Sequence, residues 1–254
     1  MFLWLKRRWK ARIIRRSSIK KSQWQKAFNA LTLLNRLSRK EKIKLKKLAI
    51  LFLYQKKLEA VGDLELNNFI RAVIALQACL PILNLGLDCY KGWVSVLLYP
   101  GAFSKLTKEL DEFGVMHHYR VNLSGEAWQR GAVILSWQDA LNHDLDNARN
   151  VVIHELAHKL DMQNGDANGF PPLHKEMSAQ QWADEFNQAF SDFTLRLQQN
   201  LPTAIDAYAA TSAAEFFAVF TEVFFVKPEL IKESYPAVYK LLVCFYRQDP
   251  FKKS

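Results

Sequence analysis

The feature that most constrains this chain is a short motif inside an apolar run. The residues Val151-Val152-Ile153 lead directly into His154-Glu155-Leu156-Ala157-His158. In a helix, residues four apart lie on one face, so the imidazoles of His154 and His158 can reach the same ion. Buried histidine and glutamate side chains need polar partners. The motif therefore predicts a buried helix that carries a zinc site, with Glu155 as the base that takes a proton from an attacking water.

A catalytic zinc site also needs a third protein ligand and one open position. Downstream side chains that could fill this role are His174, Glu176, Asp206, Glu215 and Glu222. We prefer Glu215, because it lies in a segment that is apolar on nearly every side, where a solvated charge is not expected. Glu222 is two turns farther along the same face. It stays open as the ligand itself or as an acceptor for a ligand histidine.

Two more side chains have positions that suggest supporting roles. Tyr208 lies seven residues before Glu215, and its hydroxyl could stabilise an oxyanion, although most tyrosines are packing residues. Asp161 lies seven residues after His154, on the ligand face. It could orient a ligand histidine or be an ordinary charge near a helix end.

The spacing of apolar residues and turn residues predicts the remaining elements. Strands are expected at 93–99 and 130–137, and helices at about 67–80, 146–162, 178–199, 211–226 and 235–247. This order predicts an α+β fold that is mainly helical with a small mixed sheet. We expect residues 131–137 to supply a strand beside the substrate cleft, because peptidases hold extended substrates by strand addition.

The charge of the chain is unevenly distributed. Residues 1–60 contain 19 lysines and arginines against two glutamates, whereas the remainder has more acidic than basic residues. We therefore divide the chain into a basic helical N-terminal arm, 1–60, and a metallopeptidase domain, 61–254. The arm could meet nucleic acid, anionic lipid or an acidic partner, or could be a solvated face. No base-reading motif is present, so direct nucleic-acid binding is not expected.

Three observations bear on the compartment. No apolar run reaches the roughly 18 to 20 residues that span a bilayer. The apolar residues at 1–5 precede the basic residues at 6–8, which reverses the order of a secretory signal. The three cysteines are sparse and odd in number, as in a protein with reduced thiols. The sequence thus predicts a cytoplasmic protein without a transmembrane segment.

Six stretches form a pattern more specific than the five-residue motif alone. They are LPILNLGLD at 80–88, SGEAW at 124–128, VIHELAHKLDM at 152–162, DAYAA at 206–210, AEFFA at 214–218 and FYRQDP at 245–250. Together they resemble the Mlc titration factor A family, bacterial cytosolic zinc peptidases of the gluzincin type. The catalytic core of that family is related to the anthrax lethal factor.

The resemblance implies a zincin-type fold and a set of site residues. His154, His158 and Glu215 would bind Zn²⁺, Glu155 would be the catalytic base, and Tyr208 would lie at the active site. It also implies a peptide substrate, with aminopeptidase-like activity on small peptides as one form. Members of the family bind the glucose-responsive repressor Mlc and thereby regulate sugar phosphotransferase genes. The alternative hypothesis is a non-catalytic, repressor-binding regulatory protein with a secondary zinc site.

Overall fold

The computed structural model describes residues 2–110, 116–123, 125–127, 131–142 and 147–252. Within these ranges it contains helices α1 Phe2–Arg15, α2 Lys21–Ala30, α3 Arg39–Gln55, α4 Asn68–Cys79, α5 Trp137–Leu141, α6 Val151–Asp161, α7 Ala179–Gln198, α8 Ala213–Val226, α9 Pro228–Ser234 and α10 Pro236–Tyr246. The strands are β1 Lys57–Ala60, β2 Ser95–Tyr99, β3 Phe103–Leu110, β4 Met116–Leu123, β5 Gly125–Ala127 and β6 Val133–Ser136. The mainly helical α+β architecture predicted from the sequence is confirmed.

The principal sheet has four strands in the order β1-β2-β6-β5. Strands β1, β2 and β6 are parallel, whereas β5 runs antiparallel to β6, with Gly125 opposite Leu135. Strands β3 and β4 pair separately as an antiparallel ribbon. Among the described residues β5 is the last strand of this sheet, and it contacts α6. The terminal strand beside the motif helix is therefore β5, while β6 of the expected 131–137 segment is an interior strand.

The first 60 residues contribute to the core as well as to the basic surface. Trp24 of α2 and Phe52 of α3 are buried in the same apolar cluster as Val73 of α4. Strand β1 pairs with β2, with Lys57 opposite Ser95. The division of the chain at residue 60 into an arm and a domain stays a prediction.

Helix α8 is central because its sequence is apolar on nearly all sides, as expected for a helix surrounded by protein. Its aromatic side chains stack on one another and on α7, with ring centroids 3.9 Å apart for Phe216 and Phe220 and 6.1 Å apart for Trp182 and Phe217. Helix α6 packs along α8, and α4 packs on α6 from another side. This arrangement holds the motif helix between two buried helices.

The motif helix is shorter than the predicted 146–162. It begins at Val151, after the N-cap residue Asn150, whose side chain accepts a hydrogen bond from the backbone N–H of Ile153. Ala148 has a φ of 57°, a left-handed conformation that a helix cannot continue through. Residue 146 lies outside the described residues. In the part of the chain that the structure describes, no helix is both long and apolar enough to cross a bilayer.

Candidate metal centre

Three side chains from α6 and α8 converge on one point. The Nε2 atoms of His154 and His158 are 3.2 Å apart. Glu215 Oε2 lies 3.0 Å from His154 Nε2 and 3.3 Å from His158 Nε2. The two histidines meet because they are four residues apart on α6, and Glu215 meets them because α8 packs along that helix.

These distances fit a bound zinc ion. Tetrahedral zinc with bonds of about 2.0 to 2.1 Å to nitrogen and oxygen would place its ligand atoms about 3.3 Å apart. Glu215 Oε2 is buried and has no hydrogen-bond donor among the described residues, so a cation would give this oxygen its partner. Two imidazoles and one carboxylate are also a ligand set of catalytic zinc sites.

Electrostatics at the centre favour a positive charge. Burial works against ionisation of Glu215, but the nearby imidazoles of His154 and His158 outweigh it electrostatically and hold the pKa of Glu215 well below its ordinary value. Burial likewise disfavours a charged His154, yet Glu222 and Glu215 raise the pKa of His154 well above its ordinary value. In the absence of a metal the carboxylates thus retain a proton on the imidazole, and metal binding would displace it.

A chain of buried hydrogen bonds orients His154. Its Nδ1 lies 2.7 Å from Glu222 Oε1, which directs Nε2 toward the centre. The other oxygen of Glu222 accepts the backbone N–H of Asn150 at 2.5 Å. The Asn150 amide donates to Gln77 Oε1 at 2.6 Å, and the Gln77 amide donates to the carbonyl of Ala140 at 3.0 Å. Helix α4, which carries Gln77, is thereby connected to the orientation of the imidazole.

Asp161 holds a loop and makes no hydrogen bond to either motif histidine within the described residues. One of its carboxylate oxygens accepts the backbone N–H groups of Asn168 and Gly169, at 2.8 and 2.7 Å. Gly169 has a φ of 78°, and a Cβ there would lie 2.5 Å from the carbonyl oxygen of Ala213. The loop thus packs tightly against the first residue of α8, two positions before Glu215.

Glu155 lies beside the centre under the edge strand β5. A Cβ added to Gly125 would lie 2.4 Å from Glu155 Oε1, so glycine leaves the space that the carboxylate fills. Only 5% of Glu155 is exposed. Burial raises the pKa of Glu155 to about 7, against the lowering effect of the two motif histidines. A buried carboxyl with such a pKa is suited to accepting a proton near neutral pH.

Tyr208 lies at the open side of the centre. Its ring centroid is 6.1 Å from that of His154, and the residue is 49% exposed. The carboxylate of Asp206 accepts the backbone N–H of Tyr208 at 3.0 Å and is itself held by Arg149, which precedes α6. Burial, followed by the charges of nearby glutamates, raises the pKa of Tyr208 to about 12. The hydroxyl therefore keeps its proton at neutral pH and can donate a hydrogen bond.

The other downstream candidates lie elsewhere. His174 Nε2 is 2.8 Å from the carbonyl of Phe245, and Glu176 is paired with Arg247.

Three residues beside the centre were not predicted from the sequence: Gln77, Asn150 and Gly125. Two signals were present, since Asn150 directly precedes the apolar motif run, as an N-cap does, and Gln77 is a polar residue in an otherwise apolar helix.

Comparisons with known proteins agree with this geometry. Residues 4–247 match the family model described as glucose-regulated metallo-peptidase M90. A protein of Klebsiella pneumoniae called Mlc titration factor A is 39% identical over 232 residues, which cover 91% of this chain and 87% of that protein. Proteins of the same name from Salmonella agona and Salmonella arizonae are each 41% identical over 235 residues. These cover 91% of this chain in both cases and 87% and 92% of the relatives.

Proposed function

The chain belongs to the glucose-regulated metallo-peptidase family M90, and on this premise we propose that it is a zinc-dependent peptidase acting in the cytoplasm. The observation that carries the proposal is the convergence of His154, His158 and Glu215 within 4.8 Å of one another, with Glu155 buried next to them. A zinc ion bound there would polarise a peptide carbonyl and lower the pKa of water to about 7.

The proposed roles of the protein side chains follow from their positions. Glu155 accepts the proton of the attacking water and later delivers it to the leaving amine. Tyr208, protonated and partly exposed, donates a hydrogen bond to the oxygen that becomes negative during attack. Glu222 holds His154 in the tautomer whose Nε2 faces the centre. An extended peptide would lie along β5, next to Glu155.

The test is a pair of substitutions, Glu155→Gln and Glu176→Gln, compared with the unchanged protein. Both remove one negative charge, but Glu176 is exposed and paired with Arg247 away from the centre. We expect Glu155→Gln to lower kcat by roughly 10²- to 10⁴-fold and to retain its zinc, measured by atomic absorption. Glu176→Gln should retain both zinc and turnover. Full turnover by Glu155→Gln would refute the proposed base.

We further propose that the substrates are small peptides cleaved in an aminopeptidase-like manner. Peptides with free and with acetylated N-termini test this point. Loss of cleavage on acetylation would support it, and equal cleavage of both would show that a free N-terminus is not required and so exclude aminopeptidase-like activity.

A second candidate function is binding of the repressor Mlc, with regulation of sugar phosphotransferase genes as its result. It is favoured by relatives called Mlc titration factor A at 39% to 41% identity over 91% of this chain. Purified Mlc should then be retained by immobilised Glu155→Gln protein as well as by the unchanged protein. If both proteins retain Mlc and neither one hydrolyses peptides, the chain is the non-catalytic regulator, with zinc in a secondary role.

A further inference from the structure

A groove of about 540 Å³ lies between α1, α3 and the start of α4, and it shares no residue with the metal centre. Its floor is apolar and includes Ile19, Ile50 and Leu53. Trp9 and Tyr54 form one wall, with their rings in edge-to-face contact at 5.4 Å. This volume lies in the range of sites that hold small ligands, which is roughly 300 to 1,000 Å³.

The rim of the groove is positively charged. Arg12, Arg16 and Arg71 all line it, and none of the groove-lining residues that the structure describes is acidic. The surrounding surface has the same character, because residues 1–40 contain 13 lysines and arginines and the first acidic residue of the chain is Glu41. Guanidinium groups bind phosphate oxygens in a bidentate geometry. Three arginines at one rim therefore favour a ligand that carries a phosphate.

Helix α1 also exposes apolar side chains next to this rim. Trp4, Leu5 and Trp9 are 57%, 49% and 44% exposed, and Arg8 lies over the Trp4 ring at 4.6 Å. Tryptophan beside arginine is typical of helices that lie in the interface between lipid headgroups and acyl chains. A free phosphate or a nucleic-acid strand would leave the apolar floor and these exposed side chains without a partner.

We propose that this groove binds an anionic phospholipid. The three arginines hold the phosphate of the headgroup, and the floor of Ile19, Ile50 and Leu53 contacts the apolar part of the lipid. Bound in this way, helix α1 lies against the membrane surface with Trp4 and Leu5 directed into the headgroup region.

The test compares two double charge reversals, one on helix α1 and one at its C-terminal end. Arg12→Glu with Arg16→Glu alters the groove, whereas Arg7→Glu with Lys10→Glu alters exposed residues that do not line it. Both variants have the same net charge, so both lose the same general attraction to an anionic surface. This loss is about fivefold in affinity for each basic residue removed. Any further difference between them reports on the groove.

Four probes are used with the full chain. They are vesicles of phosphatidylglycerol in phosphatidylcholine, monomeric dihexanoyl phosphatidylglycerol, inorganic phosphate, and a single-stranded oligonucleotide. We expect the soluble short-chain lipid to bind to the unchanged protein and to the Arg7/Lys10 variant with similar Kd, and about tenfold or more weakly to the Arg12/Arg16 variant. Vesicle binding should show the same order, and circular dichroism and thermal melting check that both variants are folded.

Several outcomes would overturn the proposal. Equal losses in the two variants would show attraction by charge alone. Inorganic phosphate binding as tightly as the short-chain lipid would show a small-anion site that does not use the apolar floor. A single-stranded oligonucleotide that binds through Arg12 and Arg16 more tightly than the lipid would identify nucleic acid as the partner, and no binding of any lipid would reject the site.

Discussion

At the scale of single residues, the two glutamates of α8 have different positions and so different expected effects. Glu215 Oε2 lies close to the Nε2 atoms of both histidines, whereas Glu222 reaches only one histidine, His154, at Nδ1, the nitrogen on the other side of the ring. Glu215→Ala should lose zinc and activity together, because two histidines and water hold zinc weakly. Glu222→Gln should lower zinc affinity by roughly 10- to 100-fold and keep activity at saturating zinc. Zinc titration of both variants checks this, and the reverse order of effects would identify Glu222 as the ligand.

Gly125 gives a second prediction at this scale. A Cβ there would lie 2.4 Å from Glu155 Oε1 and 2.7 Å from a methyl group of Val151. Gly125→Ala should therefore displace the carboxylate, lower kcat and cost about 1 to 3 kcal/mol of stability, while the zinc content is retained. Gly101→Ala is the control, because its Cβ would meet only the flexible end of Gln138 at 3.2 Å. Unchanged kcat in Gly125→Ala would show that the strand yields instead of the carboxylate.

At the scale of elements, the N-cap residue of α6 both begins this helix and links it to α4 and α8. The Asn150 side chain accepts the N–H of Ile153 and donates to Gln77, and its own backbone N–H binds Glu222. Asn150→Ala removes the cap and leaves a buried Gln77 oxygen without its donor. We expect a loss of about 2 to 4 kcal/mol in the free energy of unfolding, with weaker zinc binding.

The matched control is Asn67→Ala. Asn67 caps α4 with hydrogen bonds to the N–H groups of Phe69 and Ile70, but it is exposed. Its loss should cost only about 1 kcal/mol and leave zinc affinity unchanged. Urea unfolding measures the free energy of unfolding of both variants, provided that their m-values are unchanged. Equal costs for the two variants would mean that the link from Asn150 to Gln77 contributes nothing.

Local patterns predicted the elements better than the contacts between them. The spacing of apolar residues and turn residues predicted the bounds of four helices to within two residues, namely α4, α7, α8 and α10. The position of β5 beside the centre was not predictable, because a three-residue strand has too few residues to show an alternation. The link between Gln77 and Asn150 also gives no local signal, because the two residues are 73 positions apart.

At the scale of the whole molecule, zinc should stabilise the fold. The centre joins α6 to α8, and a ligand that binds only the native state stabilises it by about 2.7 kcal/mol at a concentration of 100 times Kd. For a chain of this length, chelation should then lower the Tm by about 5 to 10 °C. Calorimetry with and without a chelator measures the shift. His154→Ala with His158→Ala is the control, and an equal shift in that variant would show that the chelator acts elsewhere.

The placement of the two histidines on one helix has a consequence for how the protein acquires its metal. Helix α6 presents both imidazoles as soon as it forms, whereas the carboxylate of Glu215 lies on α8, with α7 between the two helices in the chain, and arrives only with long-range packing, which is slower. We therefore expect the folding chain to pass through a stage with two nitrogen donors and no carboxylate. Such a site follows the Irving–Williams order and binds copper more tightly than zinc. We therefore expect the ion in the finished protein to depend on the metals available while it folds, and not only on the affinity of the completed centre.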